Sequence, residues 1–143
     1  MRRVLRHERP RGQALVEFAL VLPIFFLVLF GFIDVGRYVY TTTAYGQAAR
    51  EGARYGSVEQ WSYSCPASVS TQTRKNCTEA VTLARLPAGA PTPSTVLFTC
   101  PTGCRFGDLM SVQVRGTFQF FTPIIGNILG TPTVDQTAKV VVQ

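Results

Sequence analysis

The stretch Gly12-Gln13-Ala14-Leu15-Val16-Glu17-Phe18 opens an apolar run that continues to Ile33, with Glu17 as its one charged residue. Five arginines precede it: Arg2, Arg3, Arg6, Arg9 and Arg11. A basic flank followed by an apolar span is an export or membrane-insertion signal. At about 1.5 Å per residue, the ~20 residues from Ala14 to Ile33 form a helix of roughly 30 Å, enough to cross the hydrocarbon core. The run is apolar all round, which predicts lipid contact or full burial rather than a surface helix. Glu17 is its unusual feature, because a charge at membrane depth is costly and is kept for pairing or function. Pro23 removes one backbone donor and predicts a bend in the first third of the helix, which would bear on packing among copies.

Charge asymmetry sets the orientation. Residues 1–12 form a basic leader, broken by Pro10, expected to be disordered and, by the positive-inside rule, cytoplasmic. A secretory signal fits less well, since its cleavage site follows the apolar core with small residues, whereas Asp34, Val35, Gly36 and Arg37 follow here. The expected layout is a leader at 1–12, a transmembrane and extended helix at 13–56, and an extracytoplasmic α+β domain at 57–143.

Helical spacing persists beyond the apolar run. Tyr38, Thr41, Tyr45, Ala48, Gly52 and Tyr55 share one face, and Thr43, Gln47, Arg50 and Arg54 fall opposite. Ala44, Ala48, Gly52 and Gly56 recur every four residues and form a groove that admits another backbone closely. That groove seats either the protein's own sheet or a partner helix. Gly56 suits the end of the helix.

The rest of the chain reads as α+β. Residues 57–76, with Trp61, Tyr63 and Cys65, form a polar loop, and a short helix is expected from Cys77 to Leu86, before Pro87. Val96-Leu97-Phe98 is a short apolar run. Met110, Val112, Val114, Gly116, Phe118 and Phe120 alternate with polar residues, as do Val134, Gln136, Ala138, Val140 and Val142, which is the strand period. Between these strands, Thr122–Thr131 reads as a loop with four aliphatic residues, either folded onto the sheet or exposed as an apolar patch for a partner.

Composition excludes several functions. The formal charge of +6 on 143 residues is concentrated in the leader, where five arginines and Glu8 leave +4. The remainder carries only +2, which argues against a nucleic-acid interface. Cys65, Cys77, Cys100 and Cys104 all follow the apolar run, an even count that suggests disulfides on the translocated side. Three pairings are possible; Cys65–Cys77 with Cys100–Cys104 is preferred because both loops are local. There is no C-x2-C pair, and His7 is the only histidine, so neither zinc nor any other metal or cofactor is expected. Glu59, Glu79, Asp108 and Asp135 are isolated carboxylates with no catalytic constellation about them. No enzymatic activity and no small-molecule substrate are expected.

The order Gly12, Gln13, Glu17, Phe18 resembles the processing site of type IV pilin-like precursors, cut after the glycine by a prepilin peptidase. With Val21-Leu22-Pro23, Asp34-Val-Gly-Arg37, Gln47-Ala-Ala-Arg-Glu-Gly-Ala-Arg54, Gly107-Asp108 and the Phe120–Pro123 region, the chain resembles the TadE-like family. These are pseudopilin-like proteins of the tight-adherence (Tad/Flp) pilus system. The resemblance implies a pilin-like fold, with the long helix packed on a small antiparallel C-terminal sheet. It also implies a membrane-anchored minor subunit whose partners are membrane lipid, other pilin-like subunits, Tad assembly proteins and the peptidase. In such assemblies the glutamate corresponding to Glu17 neutralises a neighbour's new terminal amine. The competing reading is an uncleaved, membrane-anchored extracytoplasmic binding module.

Overall fold

One helix, α1 (Arg11–Ser57), runs through both the apolar span and the polar segment after it. Its 47 residues give a length of about 70 Å. Pro23 lies inside it without ending it. The computed structural model describes residues 11–58 and 65–143; the leader before Arg11 and the segment with Glu59, Trp61 and Tyr63 lie outside the described residues. Arg11 and Gly12 are already helical, so the Gly12–Gln13 bond lies within the helix.

The two halves of α1 have different surroundings. From Gly12 to Ile33 almost every side chain is exposed. From Thr41 onward the face expected to be apolar is covered: Thr41, Tyr45, Ala48 and Gly52 are buried, while Thr43, Gln47, Arg50 and Arg54 remain exposed. The covering elements are α2 (Arg74–Ala84) and a three-stranded antiparallel sheet of β1 (Thr95–Thr99), β2 (Leu109–Thr117) and β3 (Thr133–Val141), in the order β1-β2-β3.

Alternation along the strands decides which face meets α1. Met110, Val112, Val114 and Gly116 of β2 are buried, and so is Val134 of β3. Paired across β2 and β3 are Val114 with Gln136, Val112 with Ala138 and Met110 with Val140. Tyr45 and Ala49 pack with Val114, Phe118 and Val134 at one end of the sheet. Ala53 packs with Met110, Val112 and Val142 at the other. The backbone N–H of Gln143 donates to the Ser57 carbonyl at 2.8 Å, which ties the end of the chain to the end of α1. The Phe118 end of the sheet therefore lies toward the apolar half of the helix.

Gly116 is required at its position, because a Cβ there would overlap the Tyr45 ring. The Tyr45 hydroxyl donates to the Pro91 carbonyl at 3.2 Å, and the Tyr40 hydroxyl donates to that of Ala88 at 2.9 Å. The Pro/Gly-rich connection 87–94 is thereby fastened to the middle of α1.

Three local expectations are corrected. The short helix starts at Arg74, three residues early, because the Thr73 side chain caps it by accepting the Asn76 N–H at 3.2 Å. It ends at Ala84, not Leu86. The alternating strand ends at Thr117 rather than Phe120. The Phe118 N–H still donates to the Pro132 carbonyl, but proline has no N–H to return the bond. Finally, the segment read as a loop between the strands contains a helix, α3 (Pro123–Leu129), with proline in its first turn and Gly130 at its end in the left-handed region, φ 69°. Its Ile125 side chain approaches α1 at Gly31.

Candidate functional site

The processing-site residues Gly12, Gln13, Glu17 and Phe18 occupy the first two turns of α1, and all are exposed. A Cβ added at Gly12 would meet nothing within 4 Å. Among the described residues, no cation forms an ion pair with Glu17. Its carboxylate projects from the helix between apolar neighbours, with Leu15, Val16, Phe18 and Leu20 all exposed. Pro23, Phe25, Phe26 and Phe30 lie further along the same open half, and Phe26 stacks on Phe30 with ring centroids 5.9 Å apart.

The small-residue stripe behaves differently. Ala44, Ala48, Gly52 and Gly56 are all buried within the chain. A Cβ at Gly52 would collide with the Thr82 hydroxyl of α2. One at Gly56 would stand 2.7 Å from the Thr78 hydroxyl and 2.8 Å from the Met110 methyl. Close approach of a second helix is what the stripe permits, and that helix is α2 of the same chain together with the sheet beneath it.

Both disulfides are formed as paired from the sequence. Cys65–Cys77 has Cα atoms 5.2 Å apart and anchors the segment before α2 to that helix, where Cys77 is fully buried. Cys100–Cys104, with Cα atoms 5.5 Å apart, closes the turn after β1.

Sequence reasoning missed a further cluster where α1 leaves the apolar run. Asp34 is buried at 1% exposure, and its carboxylate accepts the backbone N–H of Phe121 at 2.8 Å and of Thr122 at 3.0 Å. Arg37, one turn on, reaches the same carboxylate at 3.5 Å and lies over the Phe118 ring, 5.5 Å from its centroid. Tyr38 meets Phe118 edge-on at 5.4 Å. The cluster fixes the segment before α3 against α1. The available signal was an Asp–Arg pair at i, i+3 just beyond an apolar run, a position where an unpaired charge is penalised.

Beside this cluster is an apolar groove of about 360 Å³ between α1 and α3. It is lined by Val28, Gly31, Phe32 and Val35 on one side and by Phe120, Ile125 and Leu129 on the other. Leu129 is largely exposed along it.

Residues 12–54 match the family described as TadE-like protein. The match covers α1 up to Arg54 and none of the sheet. No curated protein and no solved structure gives a match. The family resemblance read from the motifs is thus borne out over the long helix. Among the described residues, one helix, the one that carries this match, is long and apolar enough to cross a membrane.

Proposed function

We propose that this protein, whose residues 12–54 match the TadE-like family, is a non-catalytic, single-pass pilin-like subunit that supports assembly of a Tad/Flp-type pilus. A prepilin peptidase removes the leader after Gly12 and leaves Gln13 as the new N-terminus. The folded domain stands outside the cytoplasmic membrane. The observation that carries this reading is the division of labour along α1: its second half is consumed by the chain's own domain, while Gly12–Ile33 is left exposed for lipid and neighbouring subunits.

Glu17 then has a defined task. Five residues along from the new terminal amine, it supplies the carboxylate that neutralises a neighbour's amine when subunits pack side by side. An unpaired carboxylate in hydrocarbon is penalised by several kcal/mol, and pairing offsets part of that cost while setting subunit register. The exposure of Glu17 supports this, because among the described residues none pairs with it. The test is Glu17→Gln. The variant should be cleaved and inserted normally, yet be lost from sheared filaments or cross-linked complexes when normalised to membrane-resident protein. Normal co-isolation would remove the assembly role and favour the alternative, an anchored extracytoplasmic binding module.

A further inference from the structure

We infer that α3 and the Phe120–Phe121 segment before it form a second membrane element, seated in the outer leaflet beside α1. The inference rests on the reading of α1 as a membrane span. Four observations carry it.

The first is composition. From Gly116 to Val134 no residue is charged, so the whole connection between β2 and β3 can enter an apolar medium. The second is exposure. Phe121, Ile128 and Leu129 are 71%, 76% and 65% exposed, although they lie in a segment rich in aromatic and aliphatic residues. A loop that served only to connect two strands would have no reason to present them to water.

The third is position. α3 lies beside the apolar half of α1, across the groove. Phe121 lies 6.5 Å from Phe30, ring to ring, and Ile125 approaches Gly31. The groove reaches back to Val28, which lies five residues, about 7.5 Å along the helix, on the membrane side of Ile33. Any bilayer that accommodates the span therefore meets α3 as well. Phe32 and Val35 on α1 and Leu129 on α3 are exposed and line one groove, so a single lipid phase covers both.

The fourth is polar satisfaction. Irregular backbone at membrane depth is tolerated only where its polar groups are satisfied by protein. Asp34 does this for the Phe121 and Thr122 N–H groups. Within α3 the Gly126 N–H donates to the Thr122 carbonyl at 3.0 Å, and the Gly130 N–H closes onto the Gly126 carbonyl at 2.9 Å. Arg37, Tyr38 and Tyr40 follow on α1 and suit the headgroup level, where aromatic and basic side chains concentrate. The groove between α1 and α3 then accepts a lipid acyl chain.

The experiment is depth-resolved quenching of tryptophan fluorescence. Trp61 is the only tryptophan, so the full chain with Trp61→Phe gives a silent background. Four variants each add one reporter: Phe25→Trp in the span, Phe121→Trp, Ile128→Trp, and Phe106→Trp on the exposed turn at the distal end of the sheet. Each is reconstituted at low protein-to-lipid ratio into phosphatidylcholine vesicles whose acyl chains are brominated near the headgroup or near the terminus.

The expected result is loss of emission at positions 121 and 128 with bromines near the headgroup, at position 25 with bromines near the terminus, and no loss at 106. Quenching at 25 without quenching at 121 and 128 overturns the inference while leaving the span intact. A blue shift at 121 and 128 that arises only on crowding the protein, with no lipid quenching, also overturns it and assigns the surface to a second subunit. Absence of quenching at 25 removes the membrane reading and this inference with it.

Discussion

The carboxylate of Asp34 accepts the backbone N–H of Phe121 at 2.8 Å across 87 residues of sequence, and that bond joins the end of the apolar run to the segment leading into α3. A charged acceptor is the stronger form of such a contact, and the neighbouring Thr122 N–H shares it. Asp34→Ala should leave the buried Thr122 N–H unpaired, at about 1–3 kcal/mol, and the part-buried Phe121 N–H at less. Asp34→Asn keeps one acceptor oxygen and should cost less. Limited proteolysis in detergent should cut the Phe118–Pro132 segment fastest in the alanine variant. Equal protection in all three chains would contradict this role.

Gly52 sets two effects against each other. Replacing a helix-interior glycine by alanine gains up to about 1 kcal/mol in propensity. Here the new methyl meets the Thr82 hydroxyl, and overpacking of this kind costs about 1–3 kcal/mol. The clash should win, so Gly52→Ala should lower the melting temperature. The same substitution should cost less in a Thr82→Ala background, and a double-mutant cycle would read that coupling.

The Cys65–Cys77 bond closes a loop with a sequence separation of 12, worth about 3 kcal/mol by loop entropy. Peptide mapping without reductant should recover it together with Cys100–Cys104. Cys65→Ser should destabilise the domain by about that amount, again by loop entropy. Free thiols at all four positions in protein from the native envelope would contradict the placement of the domain on the translocated side.

Acid should weaken the sheet slightly. Hydrogen bonds from Arg115 and Gln113 hold the Asp135 carboxyl below its ordinary value, aided by the Arg115 charge and opposed by burial. A depressed folded-state value means the contribution is complete above the unfolded value near 3.9 and is lost as pH falls through the folded one. The pair is partly exposed, so its worth is about 1 kcal/mol or less. Asp135→Asn should flatten the acid limb of the stability profile below about pH 4 and leave neutral stability within about 1 kcal/mol.

How far these features were legible depended on whether their partners were local. The buried face of α1 at Thr41, Tyr45, Ala48 and Gly52 follows from helical spacing, and the inward row Met110, Val112, Val114 follows from strand spacing. In each case periodicity within one element fixes the pattern. Asp34 escaped because its partners lie 87 and 88 residues away, and no local pattern encodes them. α3 escaped because seven residues are too few for a helical period, and its Pro123 and Gly130 read equally as turn residues. The small-residue stripe was legible as a close-packing surface, but sequence alone set only the sheet against a partner helix, and α2 of the same chain was not foreseen.

The central claim is that Gly12 marks where the leader is removed, so that α1 enters an assembly with Gln13 at its head. Mass spectrometry of the N-terminus of the protein isolated from its native membrane tests this most directly. The mature chain should begin at Gln13, and Gly12→Leu should retain the leader because a pocket that accepts no side chain excludes a branched one. A chain intact from Met1, or a Gly12→Leu variant processed like the wild type, would contradict the account.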